Sequence, residues 1–439
     1  MKIPPVKGTR DFYPEDMAVH NFIVDGWKKV SLRNGFEEYD GPIFEYLKMF
    51  QIKSGDEIVK QLFSLTDRGG RDLALRPEMT PTLARMVNQR ISSLPRPIKW
   101  FSVPRLFRAE RPQKGRLREF FQWNIDIIDE DSFLADADVI FTTVDYLRHV
   151  GLSADDIVVK LSSRKMLAAV LQKIGVPEQS LDSLYAVLDK KNKLPLETLR
   201  ETLTGVLPNS QMASEVLAFM ELKTIQDIER KYGRQEGFGE LVELMKRLNT
   251  MGVGDYYRFD LGIVRGLAYY TGIVFEIYDK ANELRAICGG GRYDNLLRDF
   301  GGPSISATGM GMGDCVLEIL LREKGLLNVR LPERRLDFFI ARVPNIIAFE
   351  DDAKSTPLDV ADRLAEQLRR KDLRVDLSYK ATPLGRQLKQ ASDRSAKKCV
   401  IIGEEFKDKK LTIKDMGTGK QELVDYDEFL SSLDSAKGV

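Results

Sequence analysis

A chain of 439 residues exceeds one ordinary hydrophobic core and predicts roughly two to four folding units. With 43% hydrophobic and 30% charged residues it reads as soluble and globular. The net charge of +1, from 67 basic against 66 acidic residues, excludes an indiscriminate nucleic-acid coat and leaves room for a local basic patch. Cys288, Cys315 and Cys399 lie far apart without CxxC spacing, and His20 and His149 are the two histidines, a set that argues against a zinc site or disulfide framework and for a reducing compartment. The N-terminal "MKIPPVKGTRDFYPEDM" has no apolar core of signal-peptide length, and no 18-residue apolar run occurs, so the expectation is a cytoplasmic protein without a membrane or DNA partner.

In chain order, "PEDMAVHNFIVDGWKKVSLRNGF" opens with Pro14 and acidic residues, carries apolar residues at helical spacing from Met17 through Val30, and ends near Gly35. That pattern predicts an amphipathic helix. "FEEYDGPIFEYLKMF" reads as extended, and "KQLFSLTDRGGRDLAL", "IKWFSVPRLFRAE" and "REFFQWNIDIID" read as successive antiparallel strands joined by loops. From about Lys173 to Met251 the texture becomes Leu-rich and helical, which predicts a helical insertion. Strand signals return at "DYYRFDLGIVRGLAYYTGIVFEIYDK" and "RAICGGGRYDNLL", so the sheet resumes after the insertion. Beyond a proline-containing boundary at Gly325 to Arg335, "LDFFIARV", "DVADRLAEQLRRKDL", "RVDLSY", "PLGRQLKQASDRS" and "CVIIG" alternate strand with helix and predict a compact α/β domain with a mostly parallel sheet.

Three stretches carry chemistry. "PRLFRAERPQKGRLREFFQWNID" sets six basic residues against one acidic residue between Arg105 and Arg118, followed by Phe120, Phe121 and Trp123. Guanidinium groups suit bidentate phosphate contacts and a neighbouring ring offers a base a stacking surface, although a solvated basic hairpin has the same composition. "ALRPEMTPTLARM" places Glu78 and Thr80 between an apolar strand and a helix, where Glu78 is either a pocket carboxylate or an acid complementing the helix dipole. "GIVRGLAYYTGIVFE" sets Arg265, Tyr269, Tyr270 and Glu276 among apolar residues, and an arginine there needs an anion to offset its desolvation. The alternation Gly309, Gly311, Gly313 lacks the G-K-[ST] ending of a P-loop and the spacing of a dinucleotide-binding turn. It fits a strand approached closely by a ligand or another backbone, with Asp314 capping or starting the helix that follows.

Taken together these motifs resemble the histidyl-tRNA synthetase family of class II aminoacyl-tRNA synthetases along nearly the whole chain. "KGTRDFYPEDM" is similar to the family's opening segment, "GFEEYDGPIFE" to motif 1 of the dimer interface, "FRAERPQKGRLREFFQ" to motif 2, "VRGLAYYTGIVFE" to the histidine-specific segment, and "GGGRYDNLL" to the floor of the amino-acid pocket. The resemblance implies an α+β chain: an antiparallel-sheet catalytic domain over residues 1–172 and 252–328, a helical insertion at 173–251, and an α/β anticodon-binding domain at 335–439. It implies a homodimer that activates L-histidine with ATP and Mg²⁺ to histidyl-adenylate, then transfers histidine to the 3′ end of tRNA(His). Arg108 would contact the α-phosphate and Glu110 the adenine amino group, Arg116 the distal phosphates, with Phe120 stacking on adenine. Glu78, Thr80, Gln122 and Asp126 would receive or line the amino acid, and Tyr269 and Tyr270 would read the imidazole. Arg265 would act with Arg108 in catalysis, and Arg111, Gln113 and Lys114 would meet the tRNA acceptor end. The pattern departs at Ala268, where the family has an acid, at Gly272, where it commonly has arginine, and in motif 3, where Gly313 is followed by Asp314, Cys315 and Val316 rather than a G-x-E-R ending. Those departures keep a synthetase-like regulatory paralogue, or a tRNA-binding module, as rival expectations.

Overall fold

The computed structural model describes residues 3–52, 62–188, 191, 194–263, 270–281, 283–327, 336–344, 346, 356–380 and 382–435. The chain divides into two compact units, Met1–Leu331 and Pro332–Val439.

The first unit is organised by a sheet of nine described strands in the order β1-β5-β7-β12-β11-β10-β8-β9, where β1 is Glu37–Glu38 and β9 is Tyr257–Phe259, with β6 (Arg105–Phe107) paired to the end of β7. The central strands are β7 (Glu119–Ile128), β12 (Ala307–Gly313), β11 (Cys288–Arg292) and β10 (Ile273–Asp279), all antiparallel to their neighbours in that row. β5 (Ile98–Ser102) flanks β7, and β8 (Ile157–Ser163) flanks β10. One face of β7 alternates Trp123, Ile125 and Ile127 into the core, and the other presents Gln122, Asn124 and Asp126. Helix α1 (Pro14–Arg33) covers the apolar face with Val19, Ile23, Trp27 and Val30, a three-to-four-residue spacing that forms one buried stripe. Pro14 sits where a helix loses nothing by lacking an N–H, and the chain leaves α1 through Gly35 at φ +80°. Trp27 is fully buried, and Trp123 donates its indole N–H to Ser31 Oγ at 2.8 Å, which ties β7 to α1. α4 (Phe133–His149) lies beside α1 on the same face, its N-terminus capped by Ser132, whose Oγ accepts from Leu134 N.

Helices follow one another from α6 (Leu181–Leu188) through α10 (Phe238–Thr250), and positions 172/173 fall inside α5 (Arg164–Ile174). A correction concerns "FEEYDGPIFEYLKMF": the extended conformation stops at Tyr46, and Leu47–Gln51 forms the short helix α2. Met49 and Phe50 are buried there against Ala74, so packing overrides the local strand texture. A three-stranded sheet of β2 (Phe44–Tyr46), β4 (Asp72–Leu75) and β3 (Ser64–Thr66) stands apart from the large sheet.

Near the rim of the sheet Arg292 is buried and holds together segments distant in sequence. Its Nε and Nη2 donate to Asp136 Oδ2 at 2.9 and 2.6 Å, Nη1 to Glu130 O and Ser306 Oγ, and Nη2 to Ser132 O. Burial lifts the Asp136 carboxyl above its usual range, against the pull of Arg292. Removing one partner of such a pair strands the other, so Arg292→Ala is expected to lower stability by about 3–5 kcal/mol. The check is the urea midpoint of the first unfolding transition; a midpoint equal to that of wild type refutes it.

The second unit has the sheet order β14-β13-β15-β16-β17. β13 (Phe338–Arg342) pairs in parallel with β14 (Val375–Leu377) and β15 (Lys398–Ile402), with helices Pro357–Arg370 and Leu384–Asp393 as the crossovers. β16 (Lys410–Asp415) and β17 (Gln421–Asp425) add antiparallel, so "mostly parallel" holds only for the first three strands. The segments joining β15 to β16 and β16 to β17 are too short for a parallel crossover, and the second is a turn with Gly419 at φ +75°.

Candidate active site

The polar face of the central sheet carries a cavity of about 110 Å³. Six of the candidate ligand-contacting residues line it: Glu78, Thr80, Arg108, Gln122, Asp126 and Tyr270. Asn124, Gly289, Tyr293, Gly309, Met310 and Gly311 complete the wall. Arg265 and Tyr269 lie outside the described residues.

The floor explains the alternating glycines. Gly309 pairs with Asp126, and Gly311 with Asn124, across β12 and β7. A Cβ at Gly309 would collide with Asp126 Oδ1, and one at Gly311 would lie 3.0 Å from Gln122 Cδ. The missing side chains let Gln122 and Asp126 lie across the neighbouring strand, which clears a shallow polar bed. On β11 the same holds for backbone packing, since a Cβ at Gly291 would stand 2.5 Å from Ile273 O. Gly272 is similarly confined: its Cβ position is 3.1 Å from Arg292 Cδ, so the stem of Arg292 fills the space beside this position.

Two buried carboxylates face this bed, Glu78 at 6% and Asp126 at 7% exposure. Glu78 is delivered by the turn before α3 (Thr80–Arg90), and Tyr293 donates its hydroxyl to Asp126 Oδ1. Tyr293 sits in "GGGRYDNLL", quoted above as the floor; its own role was missed because contact with Asp126 spans 167 positions.

The hairpin between β6 (Arg105–Phe107) and β7 forms the second half of the site. Arg108 Nε donates to Pro77 O at 3.0 Å, and its guanidinium lies 5.2 Å from the centre of the Phe120 ring. Arg116 makes an ion pair with Glu110, which is 9% exposed. Glu110 Oε1 is buried and meets no hydrogen-bond donor among the described residues. A buried acceptor left in that state invites a donor from a ligand. Arg111, Gln113 and Lys114 are exposed on the loop, which Gly115 turns at φ +71°.

The segment that follows the alternating glycines is fully engaged. Gly313 is the N-cap of α12 (Asp314–Glu323), and Asp314 starts the helix rather than capping it. Asp314 Oδ1 accepts from Phe121 N at 3.0 Å, and Oδ2 takes Arg10 Nη2 at 2.5 Å, tying the N-terminal segment to β7 and α12. Val316 packs beneath the hairpin loop, its Cγ2 2.9 Å from where a Gly115 Cβ would be. All three cysteines are free, and burial pushes each thiol well above its ordinary value.

A larger depression of about 690 Å³ lies beside β2 and α2, lined by Glu45, Tyr46, Met49, Arg85 and Phe300 among others. Its Arg85 is paired with Glu45 at 2.7 Å, and it lacks the glycine floor of the smaller cavity.

Comparison with known proteins places the chain in a family. The histidyl-tRNA synthetase family model matches residues 8–313, and an anticodon-binding domain model matches residues 346–435. The chain is 39% identical over 424 residues to the chloroplastic/mitochondrial histidine–tRNA ligase of Arabidopsis thaliana, covering 95% of this chain and 84% of that one. It is 38% identical over 403 residues to the histidine–tRNA ligase of Opitutus terrae, covering 90% of each. Among solved structures, histidyl-tRNA synthetase from Nostoc sp. PCC 7120 superposes with a TM-score of 0.80 at 23% identity, over 99% of this chain and all of that one, a likeness of fold.

Proposed function

The chain belongs to the histidyl-tRNA synthetase family, and from that premise we propose that the glycine-floored cavity holds histidine while the β6–β7 hairpin holds ATP. The reaction is that of a histidine–tRNA ligase: L-histidine and ATP give histidyl-adenylate and pyrophosphate, and histidine passes to tRNA with release of AMP.

The observation that carries the pocket assignment is the convergence of Glu78, Gln122, Asp126, Tyr270 and Arg108 over strands kept bare by glycine. Two buried carboxylates suit the α-ammonium and a polar edge of the substrate, and Tyr270 supplies a hydroxyl for the imidazole. Arg108 stands at the mouth to meet the α-phosphate, where negative charge grows as the histidine carboxylate oxygen attacks phosphorus and the bond to pyrophosphate breaks. Arg265 and Tyr269 keep the roles the resemblance gives them, beside the reacting groups and the imidazole. ATP entry exchanges partners in the hairpin: Glu110 turns its unused oxygen to the adenine amino group, Phe120 stacks on the base, and Arg116 moves from Glu110 to the distal phosphates. Mg²⁺ arrives as part of the nucleotide substrate; among the described residues no three carboxylates, imidazoles or thiols are grouped to hold it. This chain contributes positioning and charge, with no side-chain nucleophile in the scheme.

Arg111, Gln113 and Lys114 are proposed to meet the acceptor end, and the second unit to read the anticodon, following its family match. A homodimer is proposed through the β2–β4–β3 sheet, where Ile43, Phe44, Tyr46 and Leu65 are each about half exposed, an apolar patch of the kind that partners cover. No described helix is long and apolar enough to cross a membrane, and the cytoplasm is the proposed compartment on the strength of three unpaired thiols.

The test is histidine-dependent exchange of pyrophosphate into ATP with Mg²⁺ present. Exchange with histidine and none with other amino acids is expected. A folded wild-type chain that exchanges nothing would favour a regulatory paralogue or tRNA-binding module instead.

A further inference from the structure

The structure leaves α12 without the arginine that could reach a nucleotide. Val316 turns an apolar side chain to the hairpin loop at Gly115, and the first basic residue on the helix, Arg322, is paired with Glu318 at 2.8 Å. Arg10 is near the start of α12 but serves another face: it binds Asp314 and Glu318 and lies 4.9 Å from the centre of the Phe12 ring. Phe12 in turn contacts Phe121, which alternation on β7 points away from the cavity. Among the described residues, the two arginines assigned to phosphate contact are Arg108 and Arg116, the second already paired with Glu110. A triphosphate brought next to Glu78, Glu110 and Asp126 gains from each further cation within reach.

The connection between β10 and β11 provides one. β11 starts at Cys288, which pairs with Met312 next to Gly313, so the connection emerges at the end of the sheet where β12 runs into α12. Arg285 on this connection donates Nη2 to Gln113 Oε1 at 2.5 Å, reaching the tip of the hairpin loop. The Gln113 amide oxygen thereby holds the guanidinium at the loop. We propose that Arg285 is an ATP-positioning residue, supplying from the β10–β11 connection the guanidinium for the distal phosphates that α12 does not carry. The proposal rests on the assignment of the hairpin to ATP made above.

Pyrophosphate exchange on the full-length chain tests it, with KM measured separately for ATP and histidine. Arg285→Ala is expected to raise the ATP KM about tenfold or more, with the histidine KM within about twofold of wild type. Arg285→Gln keeps a hydrogen-bond donor for Gln113 but removes the charge, and should behave like the alanine variant; Arg285→Lys should restore part of the ATP affinity. An Arg285→Gln variant with wild-type ATP KM would reduce Arg285 to a tether for the loop and overturn the proposal, as would an unchanged ATP KM in Arg285→Ala. Failure of the wild type itself to exchange pyrophosphate would instead strike the assignment of the site, so the two failures are distinguishable.

Discussion

Arg108→Ala is expected to lower kcat/KM for adenylate formation about a thousandfold, close to 4 kcal/mol of transition-state stabilisation, while leaving the thermal midpoint near that of wild type. The size follows from where the side chain stands. Its Nε is anchored on Pro77 O, so the rest of the guanidinium is pre-set at the cavity mouth and pays little reorganisation when charge develops on the α-phosphate. The cavity is narrow and its other polar groups are largely carboxylates, amides and hydroxyls, so no neighbour on β7 can take over a cation's task. Arg108→Lys should recover only a small part, because an ammonium cannot both hold Pro77 O and present a planar pair of donors. The loss should fall mainly on kcat, since the interaction strengthens as the pentavalent phosphorus forms. A variant whose kcat/KM stays within threefold of wild type would remove Arg108 from the reaction.

How far the sequence discloses this site depends on the distance over which each element is decided. Helix α1 is legible because its start at Pro14, its stripe and its exit at Gly35 are all local. The strands on either side of the basic hairpin are legible for the same reason, and so is the change to helical texture in the insertion. α2 is not, because what makes Leu47–Gln51 helical is the burial of Met49 and Phe50 against a strand more than twenty positions away. The glycines of β12 could be recognised as a site of close approach, but what approaches is set by register: Asp126 and Gln122 come from β7. Tyr293 on Asp126, Arg10 on Asp314 and Arg285 on Gln113 are contacts across 167, 304 and 172 positions, which no local pattern encodes. The mixed sheet of the second unit was obscured because alternating strand and helix predicts parallel pairing until the connections shorten beyond β15.

Asp126→Asn is expected to raise the histidine KM about a hundredfold with the ATP KM within about threefold of wild type. Asp126 is buried, its Oδ1 already accepts from the Tyr293 hydroxyl, and Gly309 leaves it room to lie over β12. Such a carboxylate offers acceptors only, so the substrate edge that faces it must donate, as an ammonium or an imidazole N–H does. Asparagine has nearly the same shape but carries no charge and two donors of its own. If its oxygen keeps the Tyr293 hydrogen bond, its NH₂ group faces the substrate donor, and two donors meet in a pocket too closed for water to rescue them. If it flips, the Tyr293 hydroxyl loses its acceptor, so either orientation leaves one buried polar group unmatched. Tyr293→Phe separates the two contributions: it keeps the charge of Asp126 and removes only the group that orients it, and should cost about tenfold in histidine kcat/KM. Equal effects of the two substitutions would mean that Asp126 serves the pocket through its orientation alone, and an unchanged histidine KM in Asp126→Asn would place the amino acid elsewhere on the sheet.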